Sequence, residues 1–396
     1  METLSPRQRF MTAMTNGIPD RVPTTPDISN MIPARRTGKP FWELYYFNEP
    51  PVWQAYIDTV KYFGIDGWFI YGDMQYQWPG DRHEAIEDLK KTADRWIVRY
   101  RCRVDEVNYQ REDTFFVADP PTWTYKPVQD ISKDWKIIEK ILATPVGYNP
   151  SLLRQQRAAL GDLGAFGVHI GYPGFQNWFA FIGQNGIEEQ TYVYHDHHDL
   201  IEEMRVMQDK QSTAQMEMVL QEKPDFIILG GSGTITLQSP GIARELSLPT
   251  IKKLTSMAKQ AGVPTLLHSC GKERLLVKWL AEETDLNCVN PLEVAPQGDC
   301  NLAEIKLTYG KKLALMGNLH TTDVMRFGSA KDVKRASLQA ILDAGQDGGF
   351  ILSTGDQCGR DTPDENVFMM VETTRTFGKY PLEMDHIMDE IKKLDA

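Results

Sequence analysis

A repeated beat constrains this chain more than any other feature: a short apolar run, a stretch with helical spacing, then another apolar run. Eight runs stand out: Arg21 to Ile28, Ile65 to Tyr71, Ala165 to Gly171, Asp225 to Leu229, Pro264 to His268, Leu286 to Asn290, Lys312 to Gly317 and Gly349 to Thr354. Most are continuously apolar rather than alternating, as parallel strands covered by helices should be. Helix signals accompany them. Ser5, Pro6 and Gln8 form an N-cap, a first-turn proline and a capping box, and Gly17 reads as the stop. In "SAKDVKRASLQAILDAG", Ser329 and Asp332 repeat the capping-box spacing, Val333, Ala336 and Ala340 share a face, and Gly345 closes the helix. Strand and helix eight times over predict a (β/α)8 TIM barrel, with residues 1–396 as a single domain. Arg95 to Pro127 breaks the beat. It alternates like an antiparallel hairpin or meander and reads as a β-rich insertion after the second strand.

Composition removes several function classes. The net charge is −11, which argues against a nucleic-acid or anionic-membrane partner, since both require a basic patch. No apolar run approaches the length of a membrane span. The opening "METLSPRQRF" lacks the apolar centre of a signal peptide, so the expected location is cytoplasmic. The five cysteines are then better suited to metal binding or catalysis than to disulfides.

The chemistry of a barrel gathers at the C-terminal ends of its strands. The fifth run ends in "TLLHSCGK", where His268 and Cys270 are two positions apart and so point to one side. The eighth leads into "STGDQCGR", with Asp356 and Cys358. An imidazole and two thiolates suit Zn²⁺, which accepts a carboxylate or water as fourth ligand. Glu293, just past the sixth run, is the first choice for that ligand and Asp356 the second. Cys102, Cys288 and Cys300 read as packing residues. "YHDHHD", Tyr194 to Asp199, precedes a helix with the stripe Leu200, Met204, Met207, Ala214 and Met218, so Asp196 or Asp199 is expected to cap it and the histidines to be solvated. "GGSG", Gly230 to Gly233, lacks the rest of a phosphate fingerprint and reads as a close backbone approach. Asp73 ends the second run among Tyr71, Tyr76 and Trp78, as a carboxylate in an aromatic ligand pocket would.

With these residues marked, the chain resembles the uroporphyrinogen decarboxylase superfamily over almost its whole length. The likeness is carried by "PDRVPTTPD", "ELSLPTIKKLTSMAKQAGVPTLLHSCGK", "ALMGNLHTTDVMRFGSAKDV" and "STGDQCGRDTPDENV"; Arg95 to Pro127 matches least well. The resemblance implies one of two chemistries. The decarboxylases use no metal and bind a tetrapyrrole through an arginine loop and a strand-end aspartate, places taken here by Arg35, Arg36 and Gly38 and by Asp73. The histidine expected near the end of that barrel is replaced by the Cys358 loop. The corrinoid-dependent methyltransferases instead hold zinc through a His-x-Cys and a distant cysteine, which His268, Cys270 and Cys358 match residue by residue, with Glu293 added from its placement.

The resemblance therefore implies a zinc methyltransferase working with a separate corrinoid (cobalamin) protein. Zinc would activate a thiol or act as Lewis acid on a methylated substrate. The aromatic residues Tyr71, Tyr76, Trp78, Trp178 and Phe179 favour a flat methoxylated ring, with Asp73 and Glu293 as catalytic carboxylates. Transfer from methyl-corrinoid to a thiol of the coenzyme M type is the alternative within the branch. A metal-free lyase acting on a tetrapyrrole carboxylate and a non-catalytic tetrapyrrole carrier are the alternatives outside it. A homodimer is left open.

Overall fold

The structure, a computed structural model, describes residues 3–183 and 186–396. In chain order the strands are β1 (Gly67–Phe69), β2 (Tyr76–Gln77), β3 (Arg82–Lys91), β4 (Arg95–Val104), β5 (Val107–Phe116), β6 (Thr122–Tyr125), β7 (Gly147–Tyr148), β8 (Gly164–Ile170), β9 (Phe226–Gly230), β10 (Thr265–His268), β11 (Cys288–Asn290), β12 (Ala314–Leu319) and β13 (Phe350–Thr354). Seven of them form one parallel sheet in the order β1-β8-β9-β10-β11-β12-β13. Sheet neighbours follow sequence order with helices between, so the sheet curls with every C-terminal strand end on one rim. The strands are almost wholly buried, which explains their continuous apolar character.

The first predicted strand, Arg21 to Ile28, is not one. Pro23 and Pro26 have no N–H to give to a ladder. What remains is two isolated bridges, Arg21 to Lys379 antiparallel and Thr24 to Leu352 parallel, the latter framed by Thr25 N–H donating to Leu352 O and Leu352 N–H donating to Pro23 O. On the other side Asp66 N–H donates to Thr24 O at 2.9 Å, so this extended segment lies between β13 and the start of β1. Buried charges hold it there. Asp66 receives Arg9 at 2.5 Å, Arg21 at 2.8 Å and the Thr24 N–H at 2.9 Å. Asp66 and the Arg9 side chain have no solvent exposure.

The antiparallel insertion is present and begins earlier than Arg95. Strands β3 to β6 form a four-stranded sheet in sequence order, and a short pair, β2 with β7, brackets it. Strand β3 was missed because "RHEAIEDLKK" has no run of β-branched or aromatic residues; it is an edge strand with every residue exposed. The capped helices are found as read: Pro6–Met14, with the Ser5/Gln8 capping box, and Ala330–Ala344, with the Ser329/Asp332 box and Gly345 at its end. The former stops at Thr15, before the predicted Gly17.

Candidate metal centre and adjoining cleft

His268 is the last residue of β10, and Cys270 follows on the loop. Asp356 lies on the loop after β13. Their ligand atoms lie within 4.8 Å of one another, and among the described residues no other trio of histidine, cysteine or carboxylate groups does so. His268 Nε2 is 3.7 Å from Asp356 Oδ1.

The neighbouring strand orients the imidazole. Asn290, at the end of β11 in register with His268, places Oδ1 2.6 Å from His268 Nδ1. The Asn290 amide nitrogen donates to Met316 O at 3.3 Å, so its oxygen is the end that faces the ring. A carboxamide oxygen only accepts, hence Nδ1 carries a proton and Nε2 is the nitrogen turned toward Asp356, where it would offer its lone pair to a metal on losing its own proton. Burial works against an imidazolium here, but Cys270, Asp356, Asp27 and Asn290 outweigh it and push the His268 pKa up to about 9. The same negative surroundings would favour a metal cation.

The other predicted ligands stand close by but outside the trio. Cys358 is fully buried; its N–H donates to Asp27 O at 2.8 Å, and burial together with Asp27 pushes its thiol up to about 12. Glu293 accepts the Gly271 N–H through Oε2, and burial raises its pKa. Asp356, the second choice for fourth ligand, is thus the carboxylate that meets His268 and Cys270. Sequence reasoning overlooked two groups. Asp27 is buried, its pKa raised by burial and lowered by His268, with Ser29 N–H on Oδ1. Asn290 was read only as a strand terminus. The signal available for both was their place at strand-end positions of the rim.

A cleft of about 780 Å³ opens at the ends of β1 and β8. Tyr71, Asp73 and Tyr76 line it as expected, joined by Tyr45, Trp53, Gln156 and His169, and no lysine or arginine lines it. Asp73 is exposed; its N–H donates to Gln156 Oε1 at 3.0 Å and its Oδ1 accepts from Gln75 N–H at 2.8 Å. The cleft and the metal centre are electrostatically coupled: the charge of Asp27 reaches both Tyr71 and His268, and that of His268 reaches His169.

Three expected wall residues are elsewhere. Trp78 packs edge-on against Tyr76, with ring centres 6.0 Å apart, without lining the cleft. Trp178 is fully buried in a separate core with Val128, Ile182 and Met204, and its indole N–H donates to Gln208 at 2.5 Å. Phe179 is exposed under the Lys126 ammonium in a different depression. The cause is the short helix Phe175–Trp178, which points its tryptophan away from the rim. The "YHDHHD" stretch spans two helices, Gly186–Asp196 and His198–Glu222; the cap of the second is His197, not Asp196 or Asp199. His198 pairs with Glu245 at 2.9 Å. At "GGSG", Gly230 has φ +143°, and a Cβ there would lie 2.1 Å from His268 O, so the close approach is to β10 itself.

Residues 209–377 match the uroporphyrinogen decarboxylase (URO-D) family. That stretch contains His268, Cys270, Glu293, Asp356 and Cys358, whereas Tyr71, Asp73, Tyr76 and His169 lie outside it. Over 160 residues the chain is 28% identical to methylcobamide:CoM methyltransferase MtbA of Methanosarcina mazei, a match covering 38% of this chain and 44% of that relative. The chain thus spans less than half the length of this curated relative. A solved methyltransferase from Methanosarcina mazei shares the fold, with a TM-score of 0.63 and 14% identity over 94% of this chain and 99% of that one. Among the described residues no helix is long and apolar enough to cross a membrane.

Proposed function

We propose that this protein is a zinc-dependent methyltransferase that moves a methyl group from a small methoxylated aromatic substrate to a corrinoid carried by a partner protein. One observation carries the reading: the His268, Cys270 and Asp356 donors converge at the strand ends of the URO-D region, beside an aromatic cleft without a cationic side chain. The donor set fits the metal, since zinc takes nitrogen, sulfur and carboxylate oxygen together. Zinc bound there would supply Lewis acidity to the methyl-bearing oxygen and ease its departure.

The chain's own residues do the rest. Asn290 holds the His268 tautomer and ring plane. Glu293 is near enough to serve as a further ligand if it releases Gly271, and Cys358 could do so by turning from its buried position. The tyrosines keep water from one face of the substrate, and Asp73 on the lip takes a polar substituent.

Similarity to MtbA favours a second reading, transfer to a thiol of the coenzyme M type. Coenzyme M carries a sulfonate, which would sit here without a counter-charge, so it stands second. A tetrapyrrole carboxylate fares worse. Arg35 donates to Arg360 O and Thr362 O at 2.8 Å and, with Arg36, pairs Asp364, so the arginine pair is already engaged.

The test is zinc per chain by elemental analysis, wild type beside Cys270→Ala, followed by methyl transfer from a methoxylated aromatic to a corrinoid protein. Near-stoichiometric zinc that falls sharply in the variant, with zinc-dependent cobalt methylation, supports the proposal. Wild-type protein purified without chelators and found free of zinc would sink it.

A further inference from the structure

His169 is the one titratable side chain on the cleft that no step above uses. It sits near the end of β8 between the buried Val168 and Ile170, yet is itself exposed, because it faces the cleft. Its Nε2 lies 3.1 Å from Gly230 O. A carbonyl can only accept, so Nε2 carries the proton and Nδ1 is left as a lone-pair acceptor. Among the described residues no protein group donates to Nδ1. The ring is open to solvent on the cleft side only, and the protein packed around the rest of it lowers its pKa, with the Gly230 bond opposing and His268 assisting. Asp73, the one carboxylate on the cleft, is exposed on the loop after β1 and holds the Gln75 N–H through Oδ1.

A second observation is independent of the first. The hydroxyls of Tyr45, Tyr71 and Tyr76, all from residues lining the same cleft, are shut off from solvent and have no hydrogen-bond partner. A buried orphan hydroxyl is unfavourable, and a small adjustment onto a ligand oxygen would relieve it. The cleft thus offers donors for ether or phenol oxygens and, at His169 Nδ1, an acceptor for a hydroxyl hydrogen held in place by the bond on the ring's other side. It offers no charge to bind an anion.

From this we propose that the cleft selects methoxyphenols over fully methylated ethers, with a free hydroxyl of the ring donating to His169 Nδ1. The inference rests on the methyltransferase reading only for the presence of a methoxy group. His169 is then a specificity-determining residue, and the tyrosine hydroxyls hold the oxygens of the same ring.

The experiment is calorimetric titration of the full chain, without corrinoid protein, using 2-methoxyphenol and 1,2-dimethoxybenzene as probes. Wild type should bind the phenol at least about tenfold more tightly, the effect of one acceptor left unpaired in the dimethyl ether complex. His169→Phe should bring the two within about twofold. His169→Asn, whose Oδ1 replaces Nδ1 as acceptor, should restore most of the preference and guards against a folding defect in the Phe variant. Equal binding of the two probes by wild type, no binding of either, or a preference that survives His169→Phe would each overturn the inference. Parallel methyl-transfer assays separate the two proposals. Transfer from both ethers without preference leaves the methyltransferase reading and removes this one. A His169-dependent hydroxyl preference without any methyl transfer does the reverse.

Discussion

Removing the Asn290 amide should weaken metal binding without touching a metal ligand. The argument runs through one hydrogen bond. Asn290 Oδ1 is 2.6 Å from His268 Nδ1, and the Asn290 amide nitrogen is tied to Met316 O, so the oxygen is held toward the ring. That arrangement selects the tautomer whose Nε2 lone pair faces Asp356 and Cys270. In Asn290→Ala the ring is free to turn and to place its proton on either nitrogen. Partners of this kind are worth about 10- to 100-fold in metal affinity, or about 1.4–2.7 kcal/mol. Zinc affinity would be read by competition with a chromophoric chelator at fixed pH, with circular dichroism to confirm that the variant is folded. Asn290→Asp, which keeps an acceptor on Nδ1, should stay near wild type. A folded Asn290→Ala protein that binds zinc within about threefold of wild type would refute the reasoning. So would an Asp variant as weak as the Ala variant.

Other perturbations test the surrounding architecture. Asp66→Ala removes the carboxylate that buried Arg9 and Arg21 share, while Arg9 keeps Asp20, and should cost about 3 kcal/mol in urea unfolding; a loss below about 1 kcal/mol would show that the seam at Thr24 is held by something else. Burial raises the Glu273 carboxyl from 4.5 to about 7, against opposing bonds from Ile235 and Thr236 N–H. A raised pKa favours the protonated acid in the folded state, so this contribution is full below about pH 4.5 and is lost as pH rises through 7. Glu273→Gln should therefore gain on wild type by up to about 3 kcal/mol between those limits, and a difference in unfolding free energy that is flat with pH would contradict it. Trp178→Phe, remote from the cleft, should lower thermal stability through the lost Gln208 bond while leaving ligand binding in the cleft unchanged; altered probe affinity would return the residue to the site.

Much of this protein is legible in order along the chain. Continuous apolar runs had to be buried strands, and seven of the eight form one parallel sheet, because that pattern leaves a strand no solvent face. Capping boxes at Ser5 and Ser329 are local chemistry, settled within four residues, and both are found. His268 and Cys270 were readable as a pair because a strand sends alternate side chains to one side. The errors arise where tertiary packing overrides local pattern. The first run is apolar like a strand but carries prolines, and buried arginines rather than a ladder hold it. Trp178 is as aromatic as Tyr71 in sequence, yet the short helix bearing it faces another core. Which carboxylates approach the imidazole and thiol depends on how the loops after β10, β11 and β13 arrive at one rim. The same is true of Asn290, Asp27 and His169. Each is unremarkable among its chain neighbours, and each takes its surroundings only from the elements packed beside it: sequence spacing specifies which residues share a face, and the packing of neighbouring strands specifies which faces meet.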